Sequence, residues 1–307
     1  MPVYNEEEVL PILIERLEDF VATHSEYEWE VLIVNDGSMD ESLNLIRTQH
    51  KKDSRWRYLD LSRNFGKEIA MMAGFDYVSG DCVVIMDADL QDPPEVIDDM
   101  IAAWEDGYED VYGTRQSRGK ESWLRRNLTK TYYKILKRAS NIPVLQNTGD
   151  FRLLDRICID SLRNMRETQR YTKGLYCWIG YKKKEILFDR CDRVAGKTHW
   201  NLWKLFSYAI EGITSYTTVP LRFATIIGLV GSIISICLII FYLIKTLIWG
   251  DPVQGFPTLI TVLLFMGSLI LFSLGVIGEY LGRIFNEVKR RPPYLLREID
   301  GKKTHNQ

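Results

Sequence analysis

Two uncharged stretches, Phe223 to Ile244 (22 residues) and Pro252 to Gly278 (27 residues), constrain this 307-residue chain more than any other feature. Each is long enough to cross a bilayer as a helix. Fourteen residues of the first are Ile, Leu, Val or Phe, worth about −4 to −8 kcal/mol of membrane insertion before polar corrections. A soluble helix needs a polar face, and neither stretch has one. The connection between them carries one Lys and one Asp, whereas residues 280–307 hold seven Lys/Arg against three acids. The positive-inside rule then puts that basic end in the cytoplasm and the loop outside.

The formal net charge of −2 conceals a strong polarity. Residues 1–110 hold 8 Lys/Arg against 27 Asp/Glu, and residues 111–307 hold 31 against 14. An acidic half suited to a cation and a basic half suited to phosphates or an anionic bilayer are expected. Five scattered cysteines (Cys82, Cys158, Cys177, Cys191, Cys237) include no Cys-x-x-Cys pair, which points to reduced, buried thiols and not to a zinc site. No basic region followed by an apolar run opens the chain, so no signal peptide is expected and the first two hundred residues are expected to stay cytoplasmic.

That first part alternates between strand and helix patterns. Apolar residues Leu10, Leu13, Ile14, Leu17, Phe20 and Val21 recur at helical spacing within residues 6–24. Strands are expected at 29–34, 57–61, 82–86 and 111–112, after a very short first strand, with helices at 40–52, 66–78 and 95–106. This order predicts an α/β fold with a mostly parallel sheet covered by helices on both faces. Active groups in such sheets lie beyond the carboxyl ends of the strands, where Asp36, Asp87 and Asp89 fall. An aromatic and aliphatic run from Trp200 to Tyr216 fits a helix lying in the membrane interface.

Asp87-Ala88-Asp89-Leu90-Gln91-Asp92 follows a buried strand and offers only oxygen donors. That chemistry suits Mg²⁺ or Mn²⁺, which use few protein ligands and complete their shells with water and substrate phosphates. Neither Gly-x-Gly-x-x-Gly after the first strand nor a Walker-type phosphate loop is present. Residues 115–138 contain nine Lys/Arg with only Glu121 in opposition, and Arg115, Arg118, Arg125, Arg126 and Lys130 are candidates for gripping phosphates.

Five motifs occur in order: Pro2-Val3-Tyr4-Asn5-Glu6-Glu7, Val34-Asn35-Asp36-Gly37-Ser38, Arg63-Asn64-Phe65-Gly66-Lys67-Glu68, Asp87-Ala88-Asp89-Leu90-Gln91-Asp92-Pro93 and Gly149-Asp150-Phe151-Arg152. Together they resemble family 2 glycosyltransferases, and more narrowly the polyprenyl-phosphate branch of bactoprenol glucosyltransferases and dolichol-phosphate mannose synthases. The resemblance spans nearly the whole chain, including Gly278-Glu279-Tyr280-Leu281-Gly282-Arg283. It implies a GT-A fold over residues 1–199, an interfacial helix at 200–220, a two-helix membrane hairpin at 221–282 and a basic cytoplasmic tail at 283–307. The implied reaction moves one hexose, glucose or N-acetylglucosamine, from a UDP-sugar to undecaprenyl phosphate with inversion, at the plasma or inner membrane.

Carried over by motif, the resemblance makes Pro2, Tyr4 and Glu6 lining residues of a nucleoside pocket and Asp36 an acceptor for the base. Asp87, Asp89 and Gln91 match the diphosphate and metal site, with Asp89 and Gln91 toward the Mg²⁺ or Mn²⁺. Asp150 matches the family's catalytic base, and Arg115 and Arg126 match its phosphate-binding arginines. Arg118, Thr198 and His199 are the candidates for the acceptor phosphate. His199 stands where the family commonly has Lys, so a steeper loss of activity with rising pH is expected as it deprotonates near about 6.5. Members usually carry several apolar residues ahead of the first motif, and here the first strand is expected to be short. The resemblance also implies a homo-oligomer, with a tetramer among the candidate assemblies, contact with membrane lipids and no nucleic acid partner. Two other readings are a catalytically inactive membrane scaffold or flippase subunit, and a processive polysaccharide synthase, whose Gln-x-x-Arg-Trp motif is absent.

Overall fold

The computed structural model describes residues 1–115, 148–168, 170–189 and 255–304, with isolated positions between 226 and 248. The chain divides into two units, one containing all the strands among the described residues and the other the long helix Phe256–Val288.

In the first unit, β1 (Pro2–Val3), β2 (Val31–Asn35) and β3 (Trp56–Leu61) run parallel, with Val3 opposite Asn35 and Asn35 opposite Asp60. The connections are α1 (Leu10–Thr23) and α2 (Ser42–Lys52). α1 buries Leu10, Leu13, Leu17, Phe20 and Val21, the stripe that the spacing predicts. β2 buries Leu32, Ile33, Val34 and Asn35 in succession, as a strand covered on both faces does. α3 (Lys67–Tyr77) then leads to β4 (Cys82–Ile85), and α4 (Val96–Glu105) to β5 (Asp110–Arg115).

β6 (Thr148–Asp155) inserts between β4 and β5, antiparallel to both. α5 (Arg156–Arg163) and α6 (Thr172–Trp178) follow, and β7 (Lys183–Phe188) pairs parallel with β5. The strand order is therefore β4-β6-β5-β7 in this sheet. One apolar cluster joins Val3, Leu10 and Ile33 to Met86, Met100 and Leu153, so both sheets share a core.

The expected single, mostly parallel sheet is corrected to two mixed sheets. Strand direction is set by the partner found in space, and the alternating pattern of residues 1–112 carries no information about a strand that arrives later between two earlier ones.

The last unit, α7 (Phe256–Val288), runs 33 residues and ends beyond the uncharged stretch, with Arg283 bonded to Glu279 at 3.0 Å. Among the described residues it supplies the one helix long and apolar enough to cross a membrane, so the structure shows one such helix where two were expected. Of the first uncharged stretch only isolated positions are described, and these are helical. The expected interfacial helix at 200–220 lies outside the described residues.

Residues 283–307, expected as a basic tail, contain a hairpin. β8 (Leu296–Ile299) pairs antiparallel with β3, and β9 (Lys302–Lys303) folds back on it. Asp300 and Gly301 both take positive φ (47° and 81°), the tight turn that Asp-Gly favours between strands. Arg47 and the Tyr58 hydroxyl donate to Glu298, and Arg57 donates to Asp300 at 2.9 Å.

Candidate active site

The turns after β1 and β2 hold each other. Asn5 donates its backbone N–H to Ser38 Oγ (3.0 Å), Glu6 donates to Ser42 Oγ (2.9 Å), and Met39 N–H donates to Asn5 Oδ1 (2.8 Å). Asn5 sits at φ 54°, in the left-handed region that Asn tolerates. These turns line a cleft with Asn5, Glu6, Glu7, Met39 and Asp40 on its walls. Pro2 and Glu6 are half-buried, and Tyr4 is 41% exposed.

Asp36 is buried, and its carboxylate is engaged by the next loop along the sheet. Oδ1 accepts from Phe65 N–H (2.7 Å) and Oδ2 from Gly66 N–H (2.9 Å). Burial pushes its pKa up against these two bonds. Its neighbour Gly37 has φ 69° and packs directly against the Arg63 and Asn64 backbone. The Asn35–Ser38 turn and the Arg63–Glu68 segment, two separate motifs in the sequence, form one interlocked structure.

That structure delivers Lys67, the first residue of α3, to a pair of carboxylates. Ile85, the last residue of β4, stands opposite Arg152 of β6, and Asp87 follows β4 by two residues as Asp150 precedes Arg152 by two. Like charges brought to one ammonium repel each other. Lys67 Nζ donates to Asp87 at 2.8 Å and to Asp150 Oδ2 at 2.6 Å. Burial would lower the lysine pKa, but the charges of Asp150 and Asp87 outweigh it and hold Lys67 well above its ordinary value. Burial would raise Asp150, and there Lys67, Lys173 and Arg152 outweigh it, so the carboxyl sits below the usual range. Asp150 Oδ1 is buried and has no hydrogen-bond partner among the described residues.

Asp89 and Gln91 lie on the turn after β4, where Leu90 is buried with φ 57° and Gln91 N–H donates to Asp89 Oδ1 (3.2 Å). Among the described residues no three His, Cys, Asp or Glu side chains converge as a ready metal cage. The chemistry of the donors nonetheless suits a hard cation, because the side chains of Asp89 and Gln91 on this turn offer oxygen ligands two residues apart. Mg²⁺-type ions take one or two carboxylates and leave the remaining positions to water and phosphate.

Arg115 ends β5 beside Gly149; a β-carbon there would lie 3.9 Å from its Nη2. Arg118, Arg126, Thr198 and His199 lie outside the described residues. Sequence reasoning left five contributors without a role. Lys67 bridges the carboxylates. Glu68 accepts from the N–H and hydroxyl of Thr172, tying the start of α6 to α3. Arg152 and Asp110 form a buried pair (3.1 Å to both oxygens) that Lys183 joins at 2.5 Å. Lys67 and Glu68 stand in a recognised motif, which marks them as constrained; their partners, 83 and 104 residues away, leave no local trace.

The family model described as glycosyl transferase family 2 matches residues 1–163, just over half of the chain. An uncharacterized glycosyltransferase of Synechocystis sp. is 43% identical over 98% of this chain and 94% of its own length. A prophage-derived bactoprenol glucosyl transferase of Shigella flexneri is 39% identical over 97% of this chain and 96% of its own. Among solved structures, a mannosyltransferase of Pyrobaculum calidifontis in complex with GDP-Man and Mn²⁺ is 15% identical with a TM-score of 0.44, over 89% of this chain and 85% of that one. From the family match and the near-full-length similarity to the Synechocystis and Shigella proteins, the chain is a member of glycosyl transferase family 2.

Proposed function

We propose that this chain transfers a single hexose, glucose or N-acetylglucosamine, from a UDP-sugar to undecaprenyl phosphate with inversion, supplying a lipid-linked sugar for cell-envelope glycans. The observation that carries the reading is the meeting of Asp87, from the turn expected to bind donor diphosphate, with Asp150, the residue expected to face the acceptor. Near-full-length similarity to proteins named bactoprenol glucosyl transferase supports the polyprenyl-phosphate acceptor.

In a single displacement an acceptor phosphate oxygen bonds to the anomeric carbon as its bond to the nucleoside diphosphate breaks, so the centre inverts. Pro2, Tyr4 and Glu6 line the nucleoside end, and Asp36 shapes it by holding the Phe65–Gly66 loop. Asp89 and Gln91 would hold Mg²⁺ or Mn²⁺, which neutralises the leaving diphosphate. Arg115, with Arg126, adds positive charge to that leaving group, a preorganised electrostatic contribution. Arg118, Thr198 and His199 contact the acceptor phosphate. That phosphate has a second pKa near 6 and is mostly a dianion at pH 7, so little proton abstraction is needed. A carboxyl held below its usual range is also a weak base. Asp150 therefore orients the acceptor.

The course of the chain supports a membrane hairpin. β8 lies in the same sheet as β3, which is consistent with a paired, out-and-back path through the bilayer between β7 and β8. In this reading α7 and the uncharged stretch 223–244 are the two spans, and the basic charge of residues 280–307 favours the cytoplasmic side for the C-terminal end. The membrane end is where we place a homo-oligomeric contact.

The test is a transfer assay with protein in detergent, undecaprenyl phosphate, and radiolabelled UDP- and GDP-sugars with Mg²⁺ or Mn²⁺. Metal-dependent labelling of the lipid from one UDP-sugar, lost in Asp89→Ala, is expected. No labelled lipid from any donor would move the reading to a scaffold.

A further inference from the structure

The ammonium that joins Asp87 to Asp150 is held in place from both sides. Immediately before Lys67, the N–H groups of Phe65 and Gly66 are gripped by buried Asp36, and Gly66 takes φ 95°. Immediately after it, Glu68 is fastened to Thr172. A lysine whose two flanking residues are anchored to different elements is delivered to its position; it is not a surface side chain settling on a convenient carboxylate. It also keeps 41% of its side chain exposed while Asp150 keeps 8%, so the cation remains within reach of incoming phosphate and metal.

We propose that Lys67 is a positioning residue of the transfer reaction, a resident cation that ties the donor-side Asp87 to the acceptor-side Asp150 and holds the carboxylate cluster together before a divalent ion arrives. The inference rests on the glycosyltransferase reading above. It has two separable consequences. A fixed positive charge on Asp87, two residues from Asp89, and on Asp150 opposes metal binding in the absence of nucleotide, and the diphosphate, bringing negative charge that both cations share, favours it. The same bridge sets the position of Asp150, so losing it misplaces the acceptor and acts on turnover more than on donor binding.

The experiment compares full-length wild type with Lys67→Met and Lys67→Arg in detergent. Mn²⁺ binding without nucleotide is read from the electron paramagnetic resonance signal of the free ion, and transfer is followed from the labelled UDP-sugar to undecaprenyl phosphate. Lys67→Met is expected to bind Mn²⁺ about tenfold more tightly or better, since a nearby unit charge is removed. Its kcat is expected to fall about 100-fold with the donor KM within about threefold, a loss of the size that misplacement of a reacting group produces. Lys67→Arg, which keeps the charge, is expected to retain wild-type Mn²⁺ affinity and recover part of the turnover. Where the Met variant does not fold, Lys67→Gln makes the same comparison. Unchanged or weaker Mn²⁺ binding in the neutral variant overturns the proposal even if activity falls. A loss confined to KM overturns the positioning role. Wild-type protein that transfers no sugar to the lipid overturns both this proposal and the reading beneath it.

Discussion

The backbone of Arg63 passes so close to Gly37 that a β-carbon on residue 37 would lie 2.5 Å from the Arg63 carbonyl carbon. This approach lets Asp36 reach the N–H groups of Phe65 and Gly66, and through them it determines where Lys67 stands. Gly37→Ala adds the cost of a left-handed backbone to that of a backbone clash. Stability is expected to fall by about 2–4 kcal/mol, with a matching loss of transfer, measured by urea unfolding and by the labelled-lipid assay. Unchanged stability would mean that the two loops separate freely.

Asp36→Asn keeps one acceptor oxygen and turns an amide toward the second backbone N–H. A buried donor loses its partner, at a cost of about 1–3 kcal/mol. Denaturant unfolding reads the loss, and hydrogen exchange at Phe65 and Gly66 locates it. Protection unchanged at both amides would contradict the grip described above.

The pH dependence of transfer separates two roles for Asp150. Its carboxyl is held below the ordinary value by Lys67, Lys173 and Arg152 against the effect of burial, so it stays ionised throughout the working range. The acid limb of kcat is then expected near the acceptor's second pKa of about 6, with rate lost as pH falls and the acceptor gains a proton. Asp150→Asn should lower turnover and keep that limb. A limb that vanishes in the variant would restore Asp150 as the base.

Arg152 is 1% exposed, bonds both oxygens of Asp110 and stacks 3.7 Å from the Tyr176 ring centroid. Arg152→Met leaves Asp110 in the interior with only Lys183 to balance it, and about 3–5 kcal/mol of stability is expected to go. Thermal unfolding measures this. A small change would show that Lys183 alone suffices.

The C-terminal hairpin has its own pH signature. Burial raises the Glu298 carboxyl, but the bonds from Tyr58 and Arg47 outweigh it, leaving the folded value below the ordinary one. The contribution is therefore complete above the unfolded value of about 4.3 and is lost as pH falls through the folded value. Glu298→Ala is expected to cost about 1–3 kcal/mol at pH 7 and to remove that acid dependence. Hydrogen exchange along Leu296–Ile299 as a function of pH checks both, and a variant with wild-type acid dependence would refute the assignment.

The features legible in the amino-acid order alone were local in origin. The stripe from Leu10 to Val21, the unbroken apolar run of β2 and the uncharged stretch within α7 are periodicities, readable because neighbouring residues share one environment. The placement of Asp36, Asp87 and Asp89 at strand ends followed from that pattern. The Asp300-Gly301 pair carries the composition of a tight turn, but the partner that makes its flanks strands, β3, lies more than 230 residues away. Tertiary structure alone decided the direction of β6, the grip of Asp36 on the Phe65–Gly66 loop and the Lys67 bridge. Each depends on a partner tens of residues away, and no local propensity records which distant strand or carboxylate the folded sheet will bring alongside.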